Sequence, residues 1–204
     1  MILVGRYLSP FVRRVGATLK LYGMDFEHRP YPAFGEHKAQ IREWNPVARV
    51  PALVLDDGEV VVDSTPILDH LDEQVGPERA LIPAAGPERR HVLKRIAVAL
   101  GAAEKSVLTV YERRFRPEEI RHAPWVDMIS DQARDGFAWL DRECAGPYLD
   151  GERMTQADVT TVSAYDFVRA ANPELFQSFR CPRLDALSER LLAMEAFRET
   201  APET

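Results

Sequence analysis

Residues 45–64 read Asn-Pro-Val-Ala-Arg-Val-Pro-Ala-Leu-Val-Leu-Asp-Asp-Gly-Glu-Val-Val-Val-Asp-Ser, and the organisation of the chain follows from this stretch. Two apolar runs rich in β-branched residues, 50–55 and 59–62, flank Asp56-Asp57-Gly58, which predicts two short strands joined by a turn. Asp63-Ser64-Thr65-Pro66 is then typical of a helix start, with a capping side chain followed by proline. The amides and hydroxyl of such a start can bind a small anion. The stretch therefore predicts a hairpin that leads into a helix.

Together with the residues before it, this stretch resembles the N-terminal domain of glutathione transferases. The matching segments, in the order of that family, are Ser9-Pro10-Phe11, Asn45-Pro46, Val50-Pro51-Ala52-Leu53 and Asp63-Ser64. In the family the Val-Pro bond is cis, the Val backbone pairs with the cysteinyl part of glutathione, and the acidic-Ser pair holds the γ-glutamyl end. The resemblance implies an α/β thioredoxin-like N-terminal domain, an all-α helical C-terminal domain (the GST fold), and membership of a Ser-type bacterial branch.

Composition and charge set the class of protein. The 204 residues are 46% hydrophobic and 28% charged, which is ordinary for a globular chain able to bury a core. The net charge is −6 and neither half is basic, which argues against nucleic acid or an anionic membrane as a partner. No apolar run is long enough for a signal peptide or a membrane span, and the two cysteines form no motif. We therefore expect a cytoplasmic protein.

Glycine and proline divide the chain. Gly76-Pro77 ends the first periodic part, and further prolines keep the next ten residues irregular. We expect a glutathione-binding domain at 1–76, a linker at 77–88 and a helical domain at 89–204. In the helical part, apolar residues recur at helical spacing over 92–110 and 125–140, and Thr155-Gln156-Ala157-Asp158 is typical of a capping box.

Ser9 is the candidate catalytic residue. It precedes Pro10 at a predicted helix start, where a glutathione thiolate would face the positive end of the helix and accept a hydrogen bond from the serine hydroxyl. The alternative for Ser9 is a plain N-cap. Tyr7 is a competing hydroxyl because some branches of the family use an N-terminal tyrosine, and we rank it second. Branches that use a cysteine are disfavoured, since no cysteine precedes residue 144.

The resemblance implies a glutathione-binding set of Ser9, Phe11, Lys38, Arg49, Val50, Pro51, Asp63 and Ser64. Arg49 is placed for the glycyl carboxylate, with Lys38 as a weaker candidate, because a guanidinium can hold a carboxylate with two hydrogen bonds. The alternative for Arg49 is a solvated loop side chain. Asp63 would pair with the γ-glutamyl ammonium and Ser64 with its carboxylate, while the alternative for both is helix capping. The family more often has Glu or Gln in place of Asp63.

The five histidines show no metal-site spacing, and GxGxxG, P-loop and GxSxG motifs are absent. We therefore expect glutathione as co-substrate and no metal. The leading hypothesis is a homodimeric, detoxifying transferase of alkyl or aryl groups, which activates the glutathione thiol for attack on a small electrophile. Two alternatives stay open: a non-catalytic binding or interaction module, and a glutathione-dependent peroxidase or thiol transferase. The sequence does not identify the electrophile.

Overall fold

The computed structural model describes residues 1–202 and divides the chain into two compact units. The first unit consists of Met1–Ala84 together with the segment that starts at Leu192. The second unit is Ala85–Leu191. Among residues 1–202, no helix combines the length and the apolar character that crossing a membrane requires.

A four-stranded mixed sheet forms the centre of the first unit. Strand β1 (Ile2–Val4) pairs in parallel with β2 (Glu27–Arg29) and antiparallel with β3 (Ala52–Val54), and β3 pairs antiparallel with β4 (Val60–Val62). The sheet order is β2-β1-β3-β4. A parallel pair needs a crossover connection, and the helix α1 (Pro10–Tyr22) supplies it between β1 and β2.

Three more helices complete the first unit, α2 (Lys38–Trp44), α3 (Ser64–Val75) and, after the second unit, α9 (Glu195–Arg198). Helices α3 and α9 both pack against α1. Gly23 ends α1 in the left-handed conformation that glycine favours. The order of elements in this unit is β-α-β-α-β-β-α before the second unit, and the thioredoxin-like fold class that the resemblance implied is confirmed.

The strands are shorter than the apolar runs suggested. β1 stops at Val4 because Gly5 adopts φ +127°, outside the extended region, and residues 7 and 8 form a turn before α1. β3 begins only at Ala52, since the preceding Pro51 has no N–H for a ladder; the Val50-Pro51 bond is cis. Val50 therefore lies beside the sheet rather than in it.

The second unit is helical, as the fold class implied. Helix α4 (Gly86–Phe115) packs against both α5 (Ala123–Glu143) and α6 (Gln156–Ala171). Its apolar side faces them with small residues such as Ala99 and Ala103, which are almost completely buried. The helices of this unit are α4 (Gly86–Phe115), α5 (Ala123–Glu143), α6 (Gln156–Ala171), α7 (Pro173–Gln177) and α8 (Pro182–Leu192).

The predicted capping box is present at the start of α6. The Asp158 carboxylate accepts hydrogen bonds from the Thr155 main-chain N–H and from the Leu149 N–H, both over 2.7 Å. Burial raises the pKa of Asp158 above its usual range. The carboxylate therefore joins the first turn of α6 to the loop before it, which is a folding role.

Candidate active site

Ser9 lies immediately before α1, with Pro10 as the first helical residue. Its main-chain carbonyl accepts the first helical hydrogen bond, from the Arg13 N–H over 2.9 Å, while its side chain makes no capping hydrogen bond. No acidic residue occupies the first turn of this 13-residue helix to offset its positive end. Ser9 is half-buried, and its hydroxyl lies beside a helix N-terminus without capping it.

The side chain of Tyr7 does not lie at the start of α1. The ring is only 6% exposed and is stacked on His28, with ring centroids 4.0 Å apart. A Cβ added to Gly16 would come within 3.2 Å of the Tyr7 hydroxyl, so that oxygen lies near Gly16. Gly16 is seven residues beyond Ser9, roughly 10 Å further along the helix axis. This arrangement favours Ser9 over Tyr7 as the hydroxyl at the helix start.

The loop before Val50 is closed by one buried side chain. Asn45 donates through its side-chain amide to the Arg49 carbonyl over 3.0 Å, and its side-chain oxygen accepts from the Val47 N–H over 3.1 Å. Of the main-chain hydrogen bonds described for residues 1–202, none uses the N–H or C=O of Val50. A peptide-like ligand can therefore pair with the Val50 backbone, as at a free strand edge.

Gly5 brings Val50 close to the segment that carries Ser9. A Cβ built on Gly5 would lie 2.5 Å from a methyl group of Val12 on α1 and 2.9 Å from the Val50 Cβ. Both distances are below any normal contact, so only glycine fits between the two valines. The Val50 loop and the first turns of α1 therefore meet across the backbone of Gly5.

Asp63 and Ser64 form the start of α3. Asp63 is the N-cap, with φ +67° and a carboxylate that accepts from the Thr65 N–H over 3.0 Å. Ser64 follows as the first helical residue and is 2% exposed. Asp63 therefore caps the helix, as the alternative interpretation held, and its side chain is exposed to solvent.

Arg14 links this helix start to α1. Its guanidinium is almost completely buried, and Nη2 donates to the Thr65 hydroxyl oxygen over 2.9 Å. Burial lowers the pKa of Arg14 to about 10, and the nearby Asp63 carboxylate opposes that shift. The group is consequently a cation at neutral pH. Arg14 is not among the site residues that the sequence predicts, because its only signal there is a charged residue among the apolar positions of a helix.

The remaining predicted residues differ in burial. Arg49 and Lys38 are exposed, with Lys38 at the first position of α2. Phe11 is half-buried at the second position of α1, and Pro51 is buried between Val50 and β3. Among the described residues, no group of three or more His, Cys, Asp or Glu side chains is arranged to hold a metal ion.

Two family models match this chain. The model of the glutathione S-transferase N-terminal domain matches residues 3–79, and the model of the glutathione S-transferase C-terminal domain matches residues 123–191. A relative from Vibrio cholerae, named as a probable maleylacetoacetate isomerase, is 29% identical over 100% of this chain and 96% of its own length.

Solved structures agree with the family models. A glutathione S-transferase from Methylobacterium radiotolerans, in complex with glutathione sulfonate, has a TM-score of 0.92 and 27% identity, covering 100% of this chain and 95% of its own. A glutathione transferase family member from Pseudomonas fluorescens, with bound glutathione, has a TM-score of 0.85 and 29% identity. The match covers 100% of this chain and 99% of that one. The family models span well over half of the chain and both of its parts, so this protein belongs to the glutathione S-transferase family.

Proposed function

We propose that the protein binds glutathione, lowers the pKa of its thiol and directs the thiolate to a small electrophile, with Ser9 in contact with the sulfur. The observation that carries this proposal is the Ser9 side chain, which lies at the N-terminus of α1 and makes no capping hydrogen bond. A hydroxyl in that position can donate to a thiolate that also faces the positive end of the helix.

The energies are sufficient. The unperturbed thiol pKa lies near that of free cysteine, about 8.5, and lowering it by two units takes about 2.7 kcal/mol. A helix terminus contributes about 0.3 to 2 kcal/mol, and a hydrogen bond to a charged group about 1.5 to 3 kcal/mol. The two contributions together reach the required value without a metal ion or a lysine.

Glutathione would lie along the Val50 loop. Its cysteinyl N–H and C=O would pair with the Val50 backbone beside Pro51, since those main-chain groups take no part in the sheet. Its γ-glutamyl carboxylate would bind the Ser64 hydroxyl and the first amides of α3, and its ammonium would meet the exposed Asp63 carboxylate. Binding of glutathione by this protein is supported by the two family members whose solved structures hold glutathione sulfonate and glutathione.

The other end of glutathione carries the glycyl carboxylate. Arg49, one residue before Val50, is exposed and would take this group, with Lys38 as a second cation. Phe11 would pack beside the sulfur, since it directly follows Ser9 and Pro10 in the first turn of α1.

The reaction would be transfer of an alkyl or aryl group to sulfur. The thiol proton leaves to solvent, the sulfur forms a bond to the electrophilic carbon, and the leaving group departs with its bonding electrons. We propose that the enzyme acts in the cytoplasm as a homodimer, in line with the family. A non-catalytic module and a glutathione peroxidase or thiol transferase are the competing uses of the same fold.

A second candidate activity is glutathione-dependent cis–trans isomerisation. The Vibrio cholerae relative that aligns with the whole chain is named as a probable maleylacetoacetate isomerase. In that chemistry the thiolate adds to a double bond, the adduct rotates about the new single bond, and elimination returns glutathione. The same Ser9-bound thiolate would serve both reactions, so the two activities differ only in the electrophile.

The Ser9→Ala variant tests the proposal. With 1-chloro-2,4-dinitrobenzene as electrophile, we expect kcat/KM at neutral pH to fall about ten- to hundredfold, since a hydrogen bond to a charged group is lost. The pKa seen in the pH profile of kcat/KM should rise, and Ser9→Thr, which keeps a hydroxyl, should retain most of the rate. An unchanged rate and pH profile in Ser9→Ala would overturn the proposal. Turnover of maleylacetoacetate but not of the aryl chloride would select the isomerase.

A further inference from the structure

We infer that Arg14 is a positioning residue for the γ-glutamyl end of glutathione, acting through Thr65. The inference rests on the proposed glutathione site and deepens it. It identifies Arg14, a buried cation on α1, as the residue that supports the start of α3 at this site.

The contact that carries the inference crosses between two helices. Arg14 lies in the middle of α1, and its Nη2 atom donates to Thr65 Oγ1 over 2.9 Å. Thr65 is the second residue of α3 and directly follows Ser64, the proposed ligand of the γ-glutamyl carboxylate. The Thr65 N–H donates to the Asp63 carboxylate over 3.0 Å. Thr65 is therefore fixed at both its main chain and its side chain.

The conformation of this turn explains why it requires support. Asp63 adopts φ +67° and ψ 143°, a region that residues other than glycine seldom occupy. Such a backbone persists only where its surroundings hold it in place. Arg14 supplies part of that hold, because its side chain is buried and donates a hydrogen bond to Thr65 within the turn.

The charge of Arg14 adds to the effect of the contact. The first amides of α3 already favour an anion, and the buried guanidinium places a full positive charge behind the same turn. In a buried setting such a charge is poorly screened and acts more strongly than at the surface. The exposed Asp63 carboxylate balances this charge and faces the ammonium of the same ligand group.

A truncated ligand separates this role from general support of the fold. Calorimetric titration would compare glutathione with 4-aminobutyryl-cysteinyl-glycine, which lacks only the α-carboxylate of the γ-glutamyl group. We expect Arg14→Met to weaken glutathione binding about tenfold, while the affinity for the truncated ligand stays within about twofold of the wild-type value. Equal losses for the two ligands would show a merely structural role and overturn the inference.

If Arg14→Met does not fold, variants of Thr65 test the same contact. Thr65→Val removes the oxygen that accepts from Arg14 at an exposed position, and we expect it to weaken glutathione binding about threefold, with little effect on the truncated ligand. Thr65→Ser restores the oxygen and should restore the affinity. Wild-type affinity for glutathione in Thr65→Val would overturn the inference alone, whereas absence of glutathione binding by the wild-type protein would overturn the proposed function as well.

Discussion

The side-chain amide of Asn45 donates a hydrogen bond to the main-chain carbonyl of Arg49 over 3.0 Å, across the loop that leads to Val50. The same buried side chain accepts from the Val47 N–H, so a single residue determines the shape of the loop. The Val50 backbone is thereby presented without being paired in the sheet.

Removing the Asn45 side chain should therefore affect both stability and binding. In Asn45→Ala the Arg49 carbonyl and the Val47 N–H lose their partner, so we expect the free energy of unfolding to fall by about 1 to 3 kcal/mol. The affinity for glutathione should fall at least about threefold, because Val50 is no longer held. Urea unfolding and calorimetric titration measure the two effects. Glu43→Ala, an exposed change on α2, is the matched control and should alter neither.

Gly5 and Gly101 form a second matched pair. In Gly5→Ala the new Cβ would meet Val12 and Val50 and occupy φ +127°, so we expect a loss of about 2 to 6 kcal/mol in the free energy of unfolding. Gly101 lies within α4 with nothing within 4 Å of an added Cβ, so Gly101→Ala should gain about 0.5 to 1 kcal/mol. Thermal unfolding of both variants measures the difference, and similar effects of the two changes would contradict the account of Gly5.

The capping box at the start of α6 predicts that removing Asp158 lowers the free energy of unfolding more than removing Thr155 does. Thr155→Ala removes one acceptor for the first turn of α6 and should cost about 0.5 to 2 kcal/mol of unfolding free energy. Asp158→Ala leaves the buried N–H groups of Thr155 and Leu149 without an acceptor and should cost about 2 to 5 kcal/mol. Urea unfolding, with the exposed Glu152→Ala as control, tests this order. A larger loss in Thr155→Ala would show that Asp158 is not the main support.

Asp72 gives a pH dependence with a defined sign. Burial raises the pKa of this carboxyl above its usual value, even though the Tyr22 hydroxyl donates a hydrogen bond to it. The folded protein therefore binds the proton more tightly than the unfolded chain, and this contribution to stability is present at low pH and lost as the pH rises through the folded pKa. The free energy of unfolding of the wild-type protein, minus that of Asp72→Asn, should thus be larger near pH 4 than near pH 7.

Urea unfolding at several pH values measures this difference. Glu73→Gln, on the exposed face of the same helix, is the control, and its difference from the wild-type protein should change little over the range. A difference for Asp72→Asn that grows as the pH rises would contradict the raised pKa.

The helix ends, which depend on residues close together in the chain, could be predicted from the sequence. Ser9-Pro10 and Gly23 mark the two ends of α1, and the Thr155 box marks the start of α6, because capping involves residues only a few positions apart. The strand predicted over 50–55 was too long, since the apolar pattern does not report that Pro51 lacks an N–H for the ladder, and β3 covers only Ala52–Val54. The four- and five-residue helices α9 and α7 were not predicted, as a single turn has too few positions for a periodic signal.

The sequence predicts the candidate ligand contacts of the site, but not the residues that support them. Ser9, Val50 and Ser64 stand in recognisable local motifs. Arg14 and Asn45 act through partners such as Thr65 and the Arg49 carbonyl, which only the folded backbone brings within hydrogen-bond distance. A charged residue in a helix is usually exposed to solvent, so the sequence does not predict that Arg14 is buried.

The central claim is that the protein holds glutathione as the thiolate at Ser9. Titration with glutathione in a calorimeter near pH 7.5, in two buffers of different ionisation enthalpy, tests it most directly. If the bound thiol has a pKa near 6.5, binding should release about 0.8 proton per site in the wild-type protein and clearly less in Ser9→Ala. Binding without proton release by the wild-type protein would contradict thiol activation and indicate a module that only sequesters glutathione.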